Sequence, residues 1–439
     1  MPLHEDTTRS IDARVAAAQS EARAPSLIVG VVRDGGLVHV AAAGETPVPT
    51  PDTQYRLGSI TKTMTAMLVM RLRDEGRLAL DDPIDRHLPG TPVGAATVRQ
   101  LLGHASGLRR EPAGPWWERA AGTSLESLLD DLDPDMLVHP PYRTFHYSNV
   151  AYALLAAAAS RITGESWSDL VGKRLLTPLG MRRTTYQCEE PYALGYVVHP
   201  WLDTMREEPR HDSGAMAPAG QLWSTVADLA RWAAFVADPD PEVINPGTVA
   251  EMAAPVILTD PDTWSGGYGL GFQLVRRGER ILVGHGGSMP GYVAFVAVHR
   301  QSGTAALTFC NAYNAPVALS SLCGEVIDTV LDAEPVAPAP WRPGPAAPPE
   351  IAALCGTWWF LGLEYEVRHD ATAGELSFHS QRRGPAVPWR FIPDGHDRWR
   401  GVSGMNDGET LLVRRGADGT PAVLDIATFE FARDPLPDI

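Results

Sequence analysis

The chain has 439 residues and a formal net charge of -16, and 44% of its residues are hydrophobic and 21% charged. This length predicts two or three domains, and the composition is typical of a folded globular protein. Nucleic acids and anionic membrane surfaces attract basic patches, so a chain with this excess of acidic residues is not expected to bind either of them.

The N-terminal segment, residues 1–22, lacks the apolar core of a secretory signal and is typical of a polar lead into an amphipathic helix. No apolar run in the sequence reaches the ~18 residues of a membrane span. The four cysteines form no Cys-x-x-Cys pair, which favours buried thiols in a reducing compartment, although a disulfide between Cys310 and Cys323 stays open. We therefore expect a cytoplasmic protein.

In the first 332 residues, strand patterns lie near both ends and helix patterns lie between them. Two apolar runs joined by a Gly-Gly turn, residues 26–35 and 37–44, predict a β-hairpin. Helix patterns follow at 64–72, 97–104, 124–132, 149–164 and 225–238. Strand patterns return at 268–277, 280–287, 291–300 and 304–311, before a last helix at 319–331. This order predicts an α+β fold, in which an antiparallel sheet closed by both termini holds a helical insertion.

Residues 333–349 contain seven prolines and predict a semi-rigid linker, because such a run fits neither a helix interior nor a central strand. After it, residues 350–439 hold short, aromatic-rich strand patterns punctuated by Gly and Asp, which are typical of a small antiparallel barrel or sandwich. The predicted domains are therefore a larger one at 1–332 and a small all-β one at 350–439.

The chain contains two lysines among its 37 basic residues, and Lys62 lies one helical turn after Ser59. Arginine stays protonated under all ordinary conditions, whereas a desolvated lysine loses its proton more readily. A serine at a helix start gains from the positive potential there, and a neutral lysine beside it can accept the hydroxyl proton. Ser59 and Lys62 are therefore candidates for nucleophile and base, although a helix cap followed by a solvated lysine gives the same pattern.

Two further segments carry residues suited to the same chemistry. Tyr147, Ser148 and Asn149 begin an apolar helix and offer a phenol and an amide, although capping of that helix by Ser148 or Asn149 is an equal alternative. His285 ends an apolar strand, and the glycines after it would let a backbone N–H approach a substrate oxygen closely. A plain turn after an edge strand is the alternative for this segment.

Signatures of other catalytic classes are missing from the sequence. It contains no Gly-x-Ser-x-Gly elbow, no His-Glu-x-x-His, no clustered Cys and His ligands and no glycine-rich phosphate loop. We therefore expect neither a metal nor an organic cofactor.

Three motifs, in their order along the chain, resemble those of the serine β-lactamases and penicillin-binding proteins, and more closely those of their class C-like esterase and peptidase relatives. Ser59-Ile60-Thr61-Lys62 resembles the nucleophile motif, Tyr147-Ser148-Asn149 the second motif, and His285-Gly286-Gly287 stands at the place of Lys-Thr-Gly. The resemblance covers roughly residues 20–332. It implies a β-lactamase/transpeptidase-like domain, and the C-terminal part is similar to the lipocalin-like barrel attached to many of these hydrolases.

The resemblance also implies roles for individual residues in an acyl-enzyme mechanism. Ser59 attacks a carbonyl while Lys62 and Tyr147 relay its proton. The backbone N–H groups of Ser59 and Ser288 form the oxyanion hole. Asn149 is expected to orient Lys62 and the substrate amide.

One departure from the family pattern affects the expected substrate. His285, Gly286 and Gly287 replace Lys-Thr-Gly, which removes a cation that would hold a substrate carboxylate. This pattern is similar to that of the esterases, D-amino-acid peptidases and peptide-cyclising thioesterases of the group, and it disfavours a true β-lactamase or cell-wall carboxypeptidase. His285 is then expected to hydrogen-bond near Tyr147, and Gly286 and Gly287 are expected to line the substrate.

Further substrate contacts are expected from aromatic residues and one arginine. Trp116 and Trp117 lie in a loop rich in Arg and Trp and are candidates to roof an acyl pocket, although a place in the core is an equal alternative. Trp223 is a third aromatic candidate. In the barrel, Arg433 is a candidate to pair with a substrate carboxylate, with a solvated surface arginine as the alternative.

We expect a serine hydrolase or acyltransferase whose acyl donor is a small molecule or a peptide. The acyl group would be linked as an ester, a thioester or an amide. The donor could also be bound to a carrier protein. The family contains penicillin-binding-protein-type thioesterases that release or cyclise nonribosomal peptides, and this activity is the preferred hypothesis. A cytoplasmic esterase or D-amino-acid-specific peptidase is the alternative, followed by a non-catalytic ligand-binding protein on a hydrolase fold. Water and amines attack the same acyl-enzyme, so the sequence does not separate hydrolysis from cyclisation.

Overall fold

The computed structural model describes residues 2–44, 48–313, 318–337, 340–380 and 387–436. The chain divides into two compact units, Met1–Val336 and Ala337–Ile439. The division falls inside residues 333–349, the proline-rich segment expected to be a linker.

The first unit is built on an antiparallel sheet. In chain order its strands are β1 (Ser26–Arg33), β2 (Gly36–Gly44), β3 (Tyr55–Arg56), β4 (Tyr196–Val198), β5 (Met205–Glu207), β6 (Trp223–Ser224), β7 (Ile257–Leu258), β8 (Gly266–Tyr268), β9 (Gln273–Arg277), β10 (Arg280–Met289), β11 (Tyr292–His299) and β12 (Thr304–Cys310). Eight of them form the sheet in the order β2-β1-β12-β11-β10-β9-β8-β7, with every neighbouring pair antiparallel. Because β1 pairs with β12, segments from both ends of the unit close the sheet, as predicted.

The helices of the chain are α1 (Glu5–Ala22), α2 (Thr61–Asp74), α3 (Val98–Leu102), α4 (Leu125–Asp130), α5 (Asn149–Thr163), α6 (Trp167–Val171), α7 (Ala217–Gly220), α8 (Val226–Ala237), α9 (Pro246–Met252), α10 (Ala318–Ala333) and α11 (Pro349–Ala352). Helices α2 to α9 all lie between β2 and β7 in the chain. They form the helical insertion of the predicted α+β fold, which is thus confirmed.

The alternation of side chains along β1 lets the sheet bury both of its faces. Leu27, Val29 and Val31 pack into one core with residues of α1 and α10. Ile28 and Val32 point the other way and join the larger core that the sheet shares with the helical insertion. The continuous apolar run of β1 therefore reflects a strand that is covered by helices on both sides.

Helix α2 lies inside the helical insertion and carries Lys62 in its first turn. The repeat of Met64, Met67, Leu68 and Leu72 predicts one buried face, but every residue from Thr61 to Met70 is buried. The difference arises because α5, α6 and α7 pack around α2 and because β10 contacts both this helix and the turn before it. A lysine on such a helix is removed from water whichever side it faces.

The second unit contains a closed antiparallel barrel, as predicted. Its strands are β13 (Gly356–Phe360), β14 (Leu363–Asp370), β15 (Glu375–Ser380), β16 (Trp389–Pro393), β17 (Arg398–Gly401), β18 (Thr410–Arg415), β19 (Pro421–Ile426) and β20 (Phe429–Ala432). β13 pairs with β20 and closes the barrel. Its core is dominated by aromatic side chains, among them Trp358, Tyr365, Phe378, Phe391 and Phe431.

Arg433, predicted to pair with a substrate carboxylate, is engaged inside the barrel unit. Its guanidinium donates to the carbonyls of Thr357 at 2.8 Å, Ala353 at 2.6 Å and Cys355 at 3.1 Å. Its central carbon also lies 3.9 Å from the centre of the Trp358 ring. Both terminal nitrogens are therefore occupied by backbone oxygens, which corrects the predicted role.

Two further expectations concern membranes and disulfides. Among the helices that the described ranges contain, none combines the length and the apolar character needed to cross a bilayer. All four cysteines are free thiols, so the disulfide between Cys310 and Cys323 that the sequence left open is not formed.

Replacing Arg433 by Ala should destabilise the barrel unit, because three carbonyls lose a charged donor and Trp358 loses its cover. Hydrogen bonds to charged groups contribute about 1.5–3 kcal/mol, and the partial exposure of Arg433 places the expected loss near the lower end. Denaturant unfolding of the full chain, followed by circular dichroism, measures the effect. Arg414→Ala, which removes an exposed ion pair with Glu430, is the control, and equal losses in the two variants would contradict the structural role of Arg433.

Candidate active site

The nucleophile candidate lies in a tight turn between β3 and α2. Gly58 to Ile60 form a single 3-10 turn, and Gly58 has a φ of 54°, a left-handed conformation that glycine adopts without strain. A Cβ atom on Gly58 would lie 2.5 Å from the backbone nitrogen of Ser288, so a larger residue would push the two segments apart. The turn leaves Ser59 partly exposed while both of its neighbours are buried.

Lys62 lies one turn further along, with its amine against the Ser59 hydroxyl. Its Nζ donates to Ser59 Oγ at 2.9 Å and to the Ala219 carbonyl at 2.7 Å, and the residue is 0% exposed. Burial lowers the Lys62 pKa to about 7, and the negative charges of Glu118 and Glu111 partly oppose this shift. A large share of the molecules therefore holds a neutral Lys62 at pH 7, which can accept the Ser59 proton.

Tyr147 brings a phenol to the same point. Lys62 Nζ lies 4.9 Å from the centre of the Tyr147 ring. Burial raises the pKa of Tyr147 well above its ordinary value, while a hydrogen bond with Ser59 and the charge of Arg110 act in the opposite direction. The phenol is therefore protonated at neutral pH. Ser59 thus contacts an amine that sheds its charge easily and a hydroxyl that keeps its proton.

Two backbone N–H groups lie on adjoining segments beside the nucleophile. Gly287 of β10 packs so closely on the turn that a Cβ there would lie 1.9 Å from the Leu57 carbonyl oxygen and 2.9 Å from the Ser59 nitrogen. The next residue, Ser288, has its own nitrogen against Gly58. The nitrogens of Ser59 and Ser288 therefore lie on two backbone segments in direct contact, which is the proximity that the predicted oxyanion hole needs.

Asn149 is the first residue of α5 and is almost fully buried. Its Nδ2 lies 3.0 Å from each carboxylate oxygen of Glu111, whereas its Oδ1 has no hydrogen-bond partner. The predicted contact with Lys62 is not formed, because Glu111 takes the Asn149 amide and the Ala219 carbonyl takes the lysine. The Asn149 Oδ1 atom is thus a buried acceptor that no donor among the described residues satisfies.

His285 lies in β10 with its ring buried. Its Nδ1 donates to the Gly286 carbonyl at 2.5 Å, which leaves Nε2 to accept from the Tyr268 hydroxyl at 2.9 Å. Burial and the charge of Lys62 lower the His285 pKa to about 3, so the ring is neutral. The two side-chain hydrogen bonds of His285 therefore go to Gly286 and Tyr268, and the ring meets Tyr147 by ring contact only, with centroids 6.3 Å apart.

His104, a residue that was not predicted, supports Tyr147 from both sides. Its carbonyl accepts from the His146 N–H at 2.9 Å and its Nδ1 accepts from the Ser148 N–H at 3.0 Å. The His104 and Tyr147 rings are tilted by 36°, with centroids 4.3 Å apart. Because Nδ1 accepts, the proton lies on Nε2, which is buried without a hydrogen-bond partner. His104 therefore fixes both the backbone and the ring of Tyr147.

The protein-family model for Beta-lactamase matches residues 11–320, a range that contains the nucleophile turn and all of its neighbours described above. The chain belongs to the β-lactamase family. As a member of this family, which also includes the penicillin-binding proteins, it is a serine hydrolase. A second family model, for a domain of unknown function named DUF7586, matches residues 347–433.

Individual relatives cover the chain to different extents. Beta-lactamase-like protein 2 of Dictyostelium discoideum is 30% identical over 242 residues, a match that spans 52% of this chain and 43% of that relative. The structure of SurE with D-Leu is 25% identical with a TM-score of 0.61, covering 98% of this chain and 100% of that one. The D-stereospecific amidohydrolase from Streptomyces sp. is 26% identical with a TM-score of 0.62, covering 75% of this chain and 99% of that one.

Of the three tryptophans predicted to contact the substrate, Trp116 is exposed, whereas Trp117 and Trp223 are buried. Trp116 is 46% exposed, and its ring contacts that of Tyr313 at 6.1 Å. Trp117 is 7% exposed, and its ring would lie 3.3 Å from a Cβ on Gly220, directly behind the nucleophile turn. Trp223 is 2% exposed and packs on Tyr292, so it belongs to the core and not to a substrate site.

The two glycines after His285 also differ from each other. The N–H of Gly286 donates to Gln273 Oε1 at 3.0 Å and is therefore not free for a substrate. Gly287 is buried against the nucleophile turn and acts through its lack of a side chain. In the part of the chain that the structure describes, no cluster of three or more His, Cys, Asp or Glu side chains is arranged to hold a metal ion.

The acidic and aromatic residues around the nucleophile were not predicted as site residues from the sequence. Glu111 and Glu118 lie in the loop that was noted for its tryptophans, and His104 lies in a segment noted only for its family resemblance. Tyr268 begins a predicted strand. The position of Glu118 directly after Trp116 and Trp117 could have marked it as a site candidate. Nothing in the sequence indicates the contacts of His104 and Tyr268.

The activity of the enzyme on an ester should rise with pH through a pKa near 7, because a protonated Lys62 has no lone pair to take the Ser59 proton. Lys62→Arg keeps the charge at every pH and should lower kcat/KM by about 10²–10⁴-fold. Measurements of kcat/KM on a p-nitrophenyl ester between pH 5 and 9 test both points. Lys173→Arg, at an exposed lysine paired with Glu165, should behave like the wild type. A wild-type profile that is flat across this range would contradict the assignment.

Loss of the His104 side chain should lower kcat more than it raises KM, because Tyr147 loses a ring contact and a backbone anchor while the oxyanion hole is untouched. We expect about a 10–100-fold loss of kcat for His104→Ala. His104→Asn supplies an acceptor near the former Nδ1 and tolerates the φ of 54°, so it should recover part of the loss. Steady-state kinetics with a thermal melt as folding control measure this. Unchanged kcat in folded His104→Ala would refute the positioning role.

Proposed function

We propose that the protein acylates Ser59 with the acyl group of a D-residue-containing peptide, presented as an ester, a thioester or an amide, and passes that group to water or to an amine. The observation that carries this proposal is the 2.9 Å contact between Ser59 and the fully buried Lys62, in a setting that leaves about half of the lysine neutral at pH 7. The alternative, in which Ser59 only caps the helix and Lys62 is solvated, explains neither the burial of Lys62 nor the position of Tyr147 beside it.

Acylation begins when Ser59 Oγ attacks the substrate carbonyl and its proton passes to Lys62. The carbonyl oxygen gains a negative charge, which the N–H groups of Ser59 and Ser288 stabilise. Removal of one such donor costs about 10²–10³ in kcat in other serine hydrolases. When the carbon–leaving-group bond breaks, Tyr147 gives its proton to the leaving oxygen, sulfur or nitrogen, and Lys62 returns a proton to the phenol.

Deacylation repeats these steps with a new nucleophile. Water or an amine attacks the ester on Ser59, and the Tyr147–Lys62 pair takes its proton. The second tetrahedral intermediate collapses with return of a proton to Ser59 Oγ. Since the same groups serve both nucleophiles, the residues around the acyl group and the incoming amine decide between hydrolysis and aminolysis.

Two relatives support a D-residue on the acyl side. The solved structure of SurE contains D-Leu and aligns with nearly the whole of this chain, barrel unit included. The amidohydrolase from Streptomyces sp. is described as D-stereospecific and aligns with three quarters of it. The neutral His285, at the place where other family members carry a lysine, is consistent with a substrate that offers no carboxylate there.

The preferred form of this function is a penicillin-binding-protein-type thioesterase that releases or cyclises a peptide, with a carrier-protein thioester as donor. A D-amino-acid amidase or peptidase is the second candidate, favoured by the similarity to the D-stereospecific amidohydrolase. The two differ in leaving group and acceptor and not in the acyl-enzyme. One panel separates them: a p-nitrophenyl ester, a D-aminoacyl amide and a D-terminated peptidyl thioester, with products identified by mass.

Ser59→Ala should abolish both turnover and covalent labelling, since it removes the oxygen that forms the bond to the acyl group. A fluorophosphonate probe followed by intact-protein mass spectrometry should add one label to the wild type and none to the variant. Ser288→Ala keeps its backbone N–H and should still be labelled, which makes it the matched control. Labelling of Ser59→Ala at another residue would refute the nucleophile. Substrate binding with no covalent mass increase in the wild type would instead favour a non-catalytic ligand-binding protein.

A further inference from the structure

Two consecutive arginines lie on a segment that is bonded to the residues directly after Tyr147. The Arg109 carbonyl accepts from the Ser148 hydroxyl at 2.7 Å, and the Arg110 carbonyl accepts from the Asn149 N–H at 2.8 Å. Both contacts use backbone oxygens of the arginine segment and neither uses an arginine side chain. The segment is therefore held beside Tyr147 independently of the two guanidinium groups.

The Arg110 side chain is oriented by Glu111. Its Nε donates to Glu111 Oε1 at 2.9 Å. The same carboxylate accepts from the Asn149 amide at 3.0 Å and from the Trp117 indole N–H at 2.8 Å. A carboxylate that three donors hold has little freedom to turn, and it fixes the direction of the guanidinium that pairs with it. Although the Arg110 side chain is 67% exposed, its position is therefore set by the site.

The oriented guanidinium lies over the ring of Tyr147. The central carbon of Arg110 is 5.7 Å from the centre of that ring, within the ~6 Å over which a cation and an aromatic face attract each other. The Lys62 amine is also near, 4.9 Å from the same centre. The two cations differ, because Lys62 gains and loses its proton during the proposed reaction while an arginine keeps its charge throughout. Arg110 therefore supplies a permanent positive charge beside the phenol.

A permanent charge at this position matters for the proton that Tyr147 gives away. Burial raises the pKa of Tyr147, which makes the phenol a reluctant donor, while the hydrogen bond with Ser59 and the charge of Arg110 act in the opposite direction. A leaving alcohol or amine must receive a proton as its bond to the acyl carbon breaks, whereas p-nitrophenolate departs as a stable anion without one. The influence of Arg110 should therefore depend on the leaving group.

We propose that Arg110 is a positioning residue for Tyr147. Oriented by Glu111, it holds a positive charge over the phenol ring and so makes Tyr147 an effective proton donor to leaving groups that cannot depart as anions. This inference rests on the proposed function of Ser59 and Tyr147. Arg110 is then important for alkyl esters and amides and of little consequence for activated esters.

The experiment compares two esters of N-acetyl-D-phenylalanine that differ only in the leaving group, p-nitrophenol or methanol. Their kcat/KM values report acylation, because they include the steps only up to departure of the leaving group. Measurements at pH 8.5, above the Lys62 pKa of about 7, keep Lys62 mostly neutral in every variant. This condition removes the separate effect of the Arg110 charge on Lys62, which would change both esters alike.

Arg110→Gln should lower kcat/KM for the methyl ester about 10-fold and for the p-nitrophenyl ester less than about threefold. The loss is a part of the about 10²–10⁴-fold that general acid catalysis contributes as a whole. Arg110→Lys keeps a positive charge and should bring the methyl ester back to within about threefold of the wild type. Arg109→Gln is the matched control, because it removes the same charge from the neighbouring exposed side chain, and it should leave both esters unchanged.

Equal losses on the two esters in Arg110→Gln would overturn the inference, since they would indicate a contact with the shared acyl group or a general loss of structure. An unchanged methyl ester value in Arg110→Gln, an Arg110→Lys variant as defective as Arg110→Gln, or the same selective loss in Arg109→Gln would overturn it as well.

The wild type separates this inference from the proposed function. Absence of turnover of the p-nitrophenyl ester refutes the acyl-enzyme itself. Turnover of that ester without turnover of the methyl ester overturns only the role of Arg110, because Tyr147 then gives no proton to the leaving group. Turnover of both esters leaves the comparison of the Arg110 and Arg109 variants decisive.

Discussion

The chemistry of this protein depends on the removal of the Lys62 amine from water. An exposed lysine is neutral in less than about 0.1% of molecules at pH 7, whereas the buried Lys62, with a pKa of about 7, is neutral in about half. That shift comes mainly from the packing of α5, α6 and α7 around α2, together with the sheet, and the charge of Arg110 adds to it in a minor way. The nearby acids Glu118 and Glu111 keep the shift from going further, which leaves the amine poised between its two forms near pH 7.

The second constraint is the close approach of two backbone segments. Gly58 and Gly287 bring the nucleophile turn and β10 together at distances that no side chain would allow. Ser288 lies in the part of β10 that pairs with β11, so the sheet fixes its backbone, while the turn at the start of α2 fixes that of Ser59. The oxyanion hole proposed for these two N–H groups would need little rearrangement during the reaction, which is the condition for effective electrostatic stabilisation.

The distribution of charge around Ser59 distinguishes this cleft from one built to hold an anionic substrate. His285 is neutral and bonded to Tyr268, and the arginine once expected to face a carboxylate, Arg433, is used inside the barrel. These features are consistent with the proposed acyl donor, a peptide or amino-acid derivative that offers no carboxylate at this position.

The sequence by itself determined the α+β sheet with its helical insertion, the small β-barrel and the set Ser59, Lys62, Tyr147, Asn149 and His285, because periodicity and short-range motifs report on local elements and on their order. It did not determine the partners of those residues. The Asn149 amide goes to Glu111, the imidazole of His285 to Tyr268 and the Trp223 ring to the core, and each of these contacts joins segments far apart in the chain. Only the tertiary structure decides such pairings, since they depend on which faces of α2, α5 and β10 meet.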